Sequence, residues 1–162
     1  MTGRLRSVVR RELLGYFSSS VAYIVAVVFL VFTSVWLFVL QDFFGAGIAS
    51  LRGYYGVMPL VLAVIVPAIT MRMWSQERRS GTDELLLTLP LGEWELVLAK
   101  FAAGFALVAL LIALTLFVPL SVLRFGDFER GEILGQYIGL VLLGASAVAV
   151  GQFVSSLARN QI

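Results

Sequence analysis

The side chains able to do chemistry crowd into one stretch of this sequence, from Ser75 to Lys100. It opens Ser-Gln-Glu-Arg-Arg-Ser-Gly-Thr-Asp-Glu-Leu-Leu-Leu-Thr-Leu-Pro-Leu-Gly-Glu-Trp-Glu, and Asp83, Glu84, Glu93 and Glu95 give it an acidic edge. Two carboxylates can work as general acid and base, but no metal-ligand set and no second polar cluster accompanies these. Composition removes most other chemistries. With no cysteine and no histidine, thiolate metal sites, iron–sulfur clusters, Cys nucleophiles, Ser-His triads, HExxH zinc sites and His-held haem are excluded. Lys100 is the only lysine, and Ala99-Lys100-Phe101 is not the Gly-Lys-Ser/Thr of a phosphate-binding loop. The chain reads as no enzyme, with no catalytic, cofactor-binding or metal residues.

Local signals shape this stretch. Ser80 to Asp83 forms a capping box, predicting a short helix that runs to Leu89 and stops before Pro90. Leu85, Leu86 and Leu89 share one apolar face, with Leu87 beside it. A second helix start at Gly92-Glu93 leads through Trp94, a residue suited to interfacial depth. A two-turn helix is marginal alone and needs a surface to pack on.

The elements around this stretch belong to a membrane. Of 162 residues, 60% are apolar and 14% charged, against roughly 25% charged in soluble domains. Mean hydropathy is +0.96, and a soluble chain of this length could not hide so much apolar surface. A net charge of +2 gives no case for a nucleic-acid partner. A crossing helix needs about 20 predominantly apolar residues. Four stretches qualify, at about 21–40, 55–74, 100–123 and 133–157, without a charge in any apolar core. The fold class expected is an all-α, polytopic helical bundle forming one domain over 1–162, with a cytoplasmic segment at about 76–95.

Orientation follows from the flanking Lys and Arg. Arg4, Arg6, Arg10, Arg11, Arg72, Arg78, Arg79, Lys100 and Arg159 fall on one side, nine against the three of Arg52, Arg124 and Arg130. The N-terminus is therefore expected in the cytoplasm, with the chain in the cell inner (plasma) membrane. A cleavable signal peptide is the rival for residues 1–49, but the first apolar core is longer than the 7–15 residues of a signal h-region. Within the arm at about 3–17, Leu5, Val8, Val9, Leu13, Tyr16 and Phe17 share a helical face. Arg4, Arg6, Arg10 and Arg11 occupy the rest, as in a basic amphipathic helix among anionic lipid headgroups. Ser18, Ser19 and Ser20 make a polar break before the first span.

Inside the spans, Pro67 and Pro119 are expected to kink their helices, each removing one backbone hydrogen bond. A neighbouring helix must then cover the freed carbonyl. Gly135 and Gly139 form a GxxxG pair, and Ala147, Gly151 and Ser155 continue the spacing on another stripe. Such stripes permit close helix approach, within the subunit or between subunits. Ion-coupled transporters place ionisable residues in the membrane, yet these spans offer only Gln136, Gln152 and scattered Ser and Thr. Any uphill transport would need energy from a partner ATPase.

The run Thr70 to Pro90, with Trp94-Glu95 and Leu98-Ala99-Lys100-Phe101 after it, resembles the connector of type-2 ABC exporter permeases. Arg11-Glu12-Leu13, Tyr16-Phe17-Ser18-Ser19 and Val154-Ser155-Ser156-Leu157-Ala158-Arg159-Asn160-Gln161 fit the same family. The resemblance is greatest to the branch of gliding-motility-associated and copper-maturation permeases. It implies a permease paired with a second copy or half-permease, standing on cytoplasmic ABC ATPase subunits and in contact with membrane lipids. The connector would be a coupling helix, with Glu77, Arg78, Gly81, Thr82, Asp83, Glu84 and Leu87 as coupling residues, and the N-terminal arm an elbow. Ser20 stands where relatives usually have proline. Relatives normally have six spans, so four spans imply a fragment lacking the last two or a short variant, and the polar Arg159-Asn160-Gln161 ending favours the truncated piece. Two other classes compete: a membrane scaffold that anchors a cytoplasmic complex without transport, and an intramembrane hydrolase with Ser or Thr nucleophiles and no visible base.

Overall fold

The computed structural model describes residues 2–40, 51–71, 92–124 and 130–157, and these are almost entirely helical, with no strand among them. Helix α1 spans Thr2–Ser18 and α2 spans Ser20–Val35. A π-helical turn, Trp36–Leu40, extends α2. Helix α3 spans Arg52–Thr70, α4 Glu93–Thr115, the short α5 Phe117–Val122, and α6 Arg130–Leu157. Four helical stretches are long and apolar enough to cross a membrane: Ala22–Leu40, Arg52–Thr70, Trp94–Val122 and Gly131–Leu157. The expected all-α membrane bundle is what the described residues form.

The α1–α2 joint is a single residue. Ser19 leaves the helical region, with φ −89° and ψ 123°, while its amide donates to the Tyr16 carbonyl at 3.1 Å. Ser18 Oγ also turns back, donating to the Gly15 carbonyl at 3.0 Å. Hydroxyls that bond nearby backbone compete with the helix ladder, which explains a break within a serine run.

Helix α3 is the centre of the bundle. Tyr54, Met58, Leu62, Ile65 and Ile69 recur at helical spacing and are buried, as are Tyr55, Val61 and Val66. The main pairings are α3 on α6, α4 on α6 and α1 on α4, whereas α2 lies more loosely against α3 and α4. In its membrane window 17% of α2 is buried, against 56% of α3. Lipid would cover the wide apolar face of α2 that carries Ile24, Val27, Val28 and Val31.

Helix α3 runs continuously through Pro67, and also through Pro59. The disturbance tied to Pro119 falls three residues earlier, at Leu116, which separates α4 from α5. Helix α3 starts at Arg52 rather than at about 55. Helix α4 starts at Glu93, where the Gly92-Glu93 signal predicts a helix start, and continues unbroken into the stretch expected to span from about 100.

Candidate functional site

Residues 72–91 lie outside the described set, and with them the expected coupling residues Glu77, Arg78, Gly81, Thr82, Asp83, Glu84 and Leu87. The structure does describe the two roots of this connector, Met71 at the end of α3 and Gly92 before α4. Gly92 starts α4 from an extended conformation, φ −66° and ψ 144°. Its carbonyl accepts the Glu95 amide at 2.9 Å.

Both roots are fastened to α6 by one face of that helix. Gln152 Nε2 donates to the Val97 carbonyl of α4 at 3.0 Å. One turn on, Ser155 Oγ donates to the Met71 carbonyl at 3.3 Å. Both side chains are buried, and their i, i+3 spacing sets them on the same face of α6. Gly151, beside them, lets α3 approach: a Cβ there would lie 2.8 Å from Thr70 Cβ and overlap the Thr70 hydroxyl. Thr70 turns that hydroxyl back to the Pro67 carbonyl at 3.4 Å.

A charged contact lies one turn further along α4. Lys100 is fully buried, and its Nζ is 3.6 Å from Glu12 Oε2 of α1. It is the one charged residue among the described residues that is fully buried. Removing an ammonium from water costs several kcal/mol, which an opposite charge at close range must offset. The sequence reading treated Lys100 as a flanking charge ahead of a span beginning near 100. Instead it stands two turns inside α4 and faces another helix. The buried face of α1 differs in the same way. It carries Val8, Val9, Glu12, Leu13 and Tyr16, while Phe17 joins the exposed side at 41%. Arg10 and Arg11 are exposed; the side chains of Arg4 and Arg6 lie outside the described residues. Glu12 went unassigned at the sequence level, although it falls at the same helical spacing as Val8, Val9 and Tyr16.

The buried cluster at the far end of the bundle is neutral and aromatic. Pro119 has no N–H to offer the Thr115 carbonyl four residues earlier. The Tyr54 hydroxyl of α3 donates there instead, at 3.5 Å, which is the covering by a neighbouring helix that such a break requires. Thr115 Oγ1 donates to the Ile112 carbonyl at 2.6 Å. With its proton so used, it accepts the Tyr137 hydroxyl of α6 at 3.2 Å. The Tyr55 ring meets Tyr54 and Tyr137 edge-on, at 5.5 and 5.9 Å. Trp36 Nε1 adds α2 to the cluster through the Gly53 carbonyl at 3.2 Å.

The two small-residue stripes of α6 have different fates. Ala147, Gly151 and Ser155 face the bundle, whereas Gly135 and Gly139 are exposed, with open space where a Cβ would stand. The GxxxG pair therefore takes no part in packing among the described residues.

Comparison with known proteins supplies the family. No curated protein and no solved structure matches the chain. The family model described as ABC-2 family transporter protein matches residues 46–162, which take in α3, the connector and α4 to α6. With four membrane-length helices and this match over most of its length, the chain belongs to the ABC-2 transporter family and is a multi-pass membrane permease component of an ABC transporter.

Proposed function

We propose that the chain is the permease subunit of an ATP-driven exporter, working as a dimer and driven through the 76–95 connector by a separate cytoplasmic ATPase. On this reading the coupling residues are Glu77, Arg78, Gly81, Thr82, Asp83, Glu84 and Leu87, and the N-terminus is cytoplasmic in the inner membrane. Assignment to the gliding-motility-associated and copper-maturation branch belongs to the same reading and rests on the connector residues. One observation supports it above others: both roots of the connector are bonded to α6, through Ser155 to Met71 and Gln152 to Val97. A push on the connector would therefore reach three spans together. Since no described span carries a charge pair at its centre, the energy is assigned to the ATPase rather than to an ion gradient.

The test is purification in mild detergent followed by an ATP turnover assay. A stoichiometric cytoplasmic ATPase should co-purify and be lost when residues 77–90 are replaced by a Gly-Ser linker. Reversing Asp83 and Glu84 to lysine should lower coupled turnover about tenfold, a loss of ~1.4 kcal/mol of coupling, with membrane insertion unchanged. Unchanged turnover in that double variant would overturn the connector assignment.

A further inference from the structure

Most of the charged residues described in this bundle meet water or headgroups at its ends; Lys100 does not. It stands seven residues into α4, where a lysine stem could carry its ammonium toward the membrane surface. It is instead wholly buried, against Glu12 of α1. An apolar residue of similar volume would pack there without the desolvation cost, so packing alone does not account for the pair. What an ion pair adds over an apolar contact is register: it holds only in one alignment of two helices.

The surroundings say which alignment. Helix α1 packs chiefly on α4, and only lightly on α2. Helix α4 begins where the connector ends, and its first turns are also held by Gln152 of α6. Val97 and Lys100 are one turn apart, so α6 and α1 both hold the same short length of α4. A displacement arriving at Gly92 meets both grips within two turns.

We propose that Glu12 and Lys100 are positioning residues that yoke α1 to the root of α4, making α1 a moving part of the coupling apparatus rather than a passive surface anchor. The role in coupling rests on the reading above; the yoke itself does not. Glu12 lies outside the matched residues 46–162, so the pair joins the N-terminal arm to the part of the chain that the family model covers.

The experiment has two readouts on the full chain in lipid nanodiscs. The protein has no cysteine, so spin labels at Leu14→Cys and Leu98→Cys, both exposed, report the α1–α4 distance without interference. Glu12→Gln or Lys100→Met should broaden that distribution, and the exchanged pair Glu12→Lys/Lys100→Glu should narrow it again. In the ATPase complex, the single variants should keep the partner bound but lose at least about fivefold in coupled turnover, which the exchange recovers. An apolar pair, Glu12→Leu/Lys100→Met, controls for packing and for failure to fold. If that pair restores turnover as fully as the exchange, or the single variants keep a narrow distribution, the yoke is refuted. If no ATPase co-purifies with the unaltered chain, the coupling reading falls, while the distance readout still decides the yoke.

Discussion

The two ends of this bundle solve the same problem by different means. At the connector end, the helices are tied by a buried ion pair and by single polar side chains reaching across to backbone carbonyls: Glu12 to Lys100, Gln152 to Val97, Ser155 to Met71. At the far end, interlocked rings and neutral hydroxyls do the work: Tyr54, Tyr55, Tyr137 and Thr115 from three helices. Aromatic rings meeting edge-on add a contact with a preferred geometry to the hydrogen bonds there. A lone hydrogen bond or ion pair fixes one register but leaves a helix able to turn about it. On the proposed function, the contrast would make the far end a pin and the connector end a joint, beside the segment proposed to meet the ATPase.

Substitutions can break or sharpen that contrast. The largest effect is expected at Gly151, where a Cβ would overlap Thr70 of α3. Gly151→Leu must displace Thr70, and overpacking of this kind costs about 1–3 kcal/mol, read as a lower unfolding midpoint in detergent. Gly139→Leu, on the same helix but with open space at its Cβ, should leave that midpoint within ~0.5 kcal/mol of the parent. Equal losses at both glycines would refute the division of α6 into an inner and an outer stripe.

A smaller effect belongs to the far end. Tyr54→Phe removes the only cross-helix donor described at the Thr115 carbonyl and should destabilise by about 1 kcal/mol, in the range measured for hydrogen bonds between membrane helices. Pro119→Ala restores the missing backbone N–H, so in its presence the cost of Tyr54→Phe should shrink. A double-mutant cycle with no coupling between these positions would separate the tyrosine from the proline. The smallest stability effect is expected from Gln152→Leu, about 0.5 kcal/mol, because the Val97 carbonyl also lies within a helix ladder. Its consequence should show instead in coupled ATP turnover. A Gln152→Leu variant with normal turnover would argue that the connector end is only a second pin.

Several features of the site were legible before any coordinates. The serine break, the cost of Pro119 and the need for a neighbour to cover its carbonyl follow from local chemistry. The apolar face of α1 follows from its spacing, Phe17 apart, whereas Glu12 enters the sequence reading only within the Arg11-Glu12-Leu13 motif. Lys100 reads as a topology signal, as a lone lysine at the edge of an apolar run ordinarily does, and the packed bundle adds its burial against Glu12. Neither residue announces its partner, because the two are separated by 88 positions and two spans. The connector's own geometry lies outside the described residues, so the role of Asp83 and Glu84 still rests on the sequence.

What the sequence determined by itself is the class of molecule and its main spans. Those depend on run length and on the absence of charge, both properties of the chain in one dimension. What tertiary structure decided is which faces meet. In water, burial can be read from apolarity; in lipid the surroundings are as apolar as the interior, so hydropathy no longer separates inside from outside. Helix α2 is more apolar than α3 and yet far less buried. Gly139 and Gly151 are the same residue on the same helix, one facing open space and the other pressed against Thr70. Only the packed bundle, through contacts between residues far apart in the chain, distinguishes them.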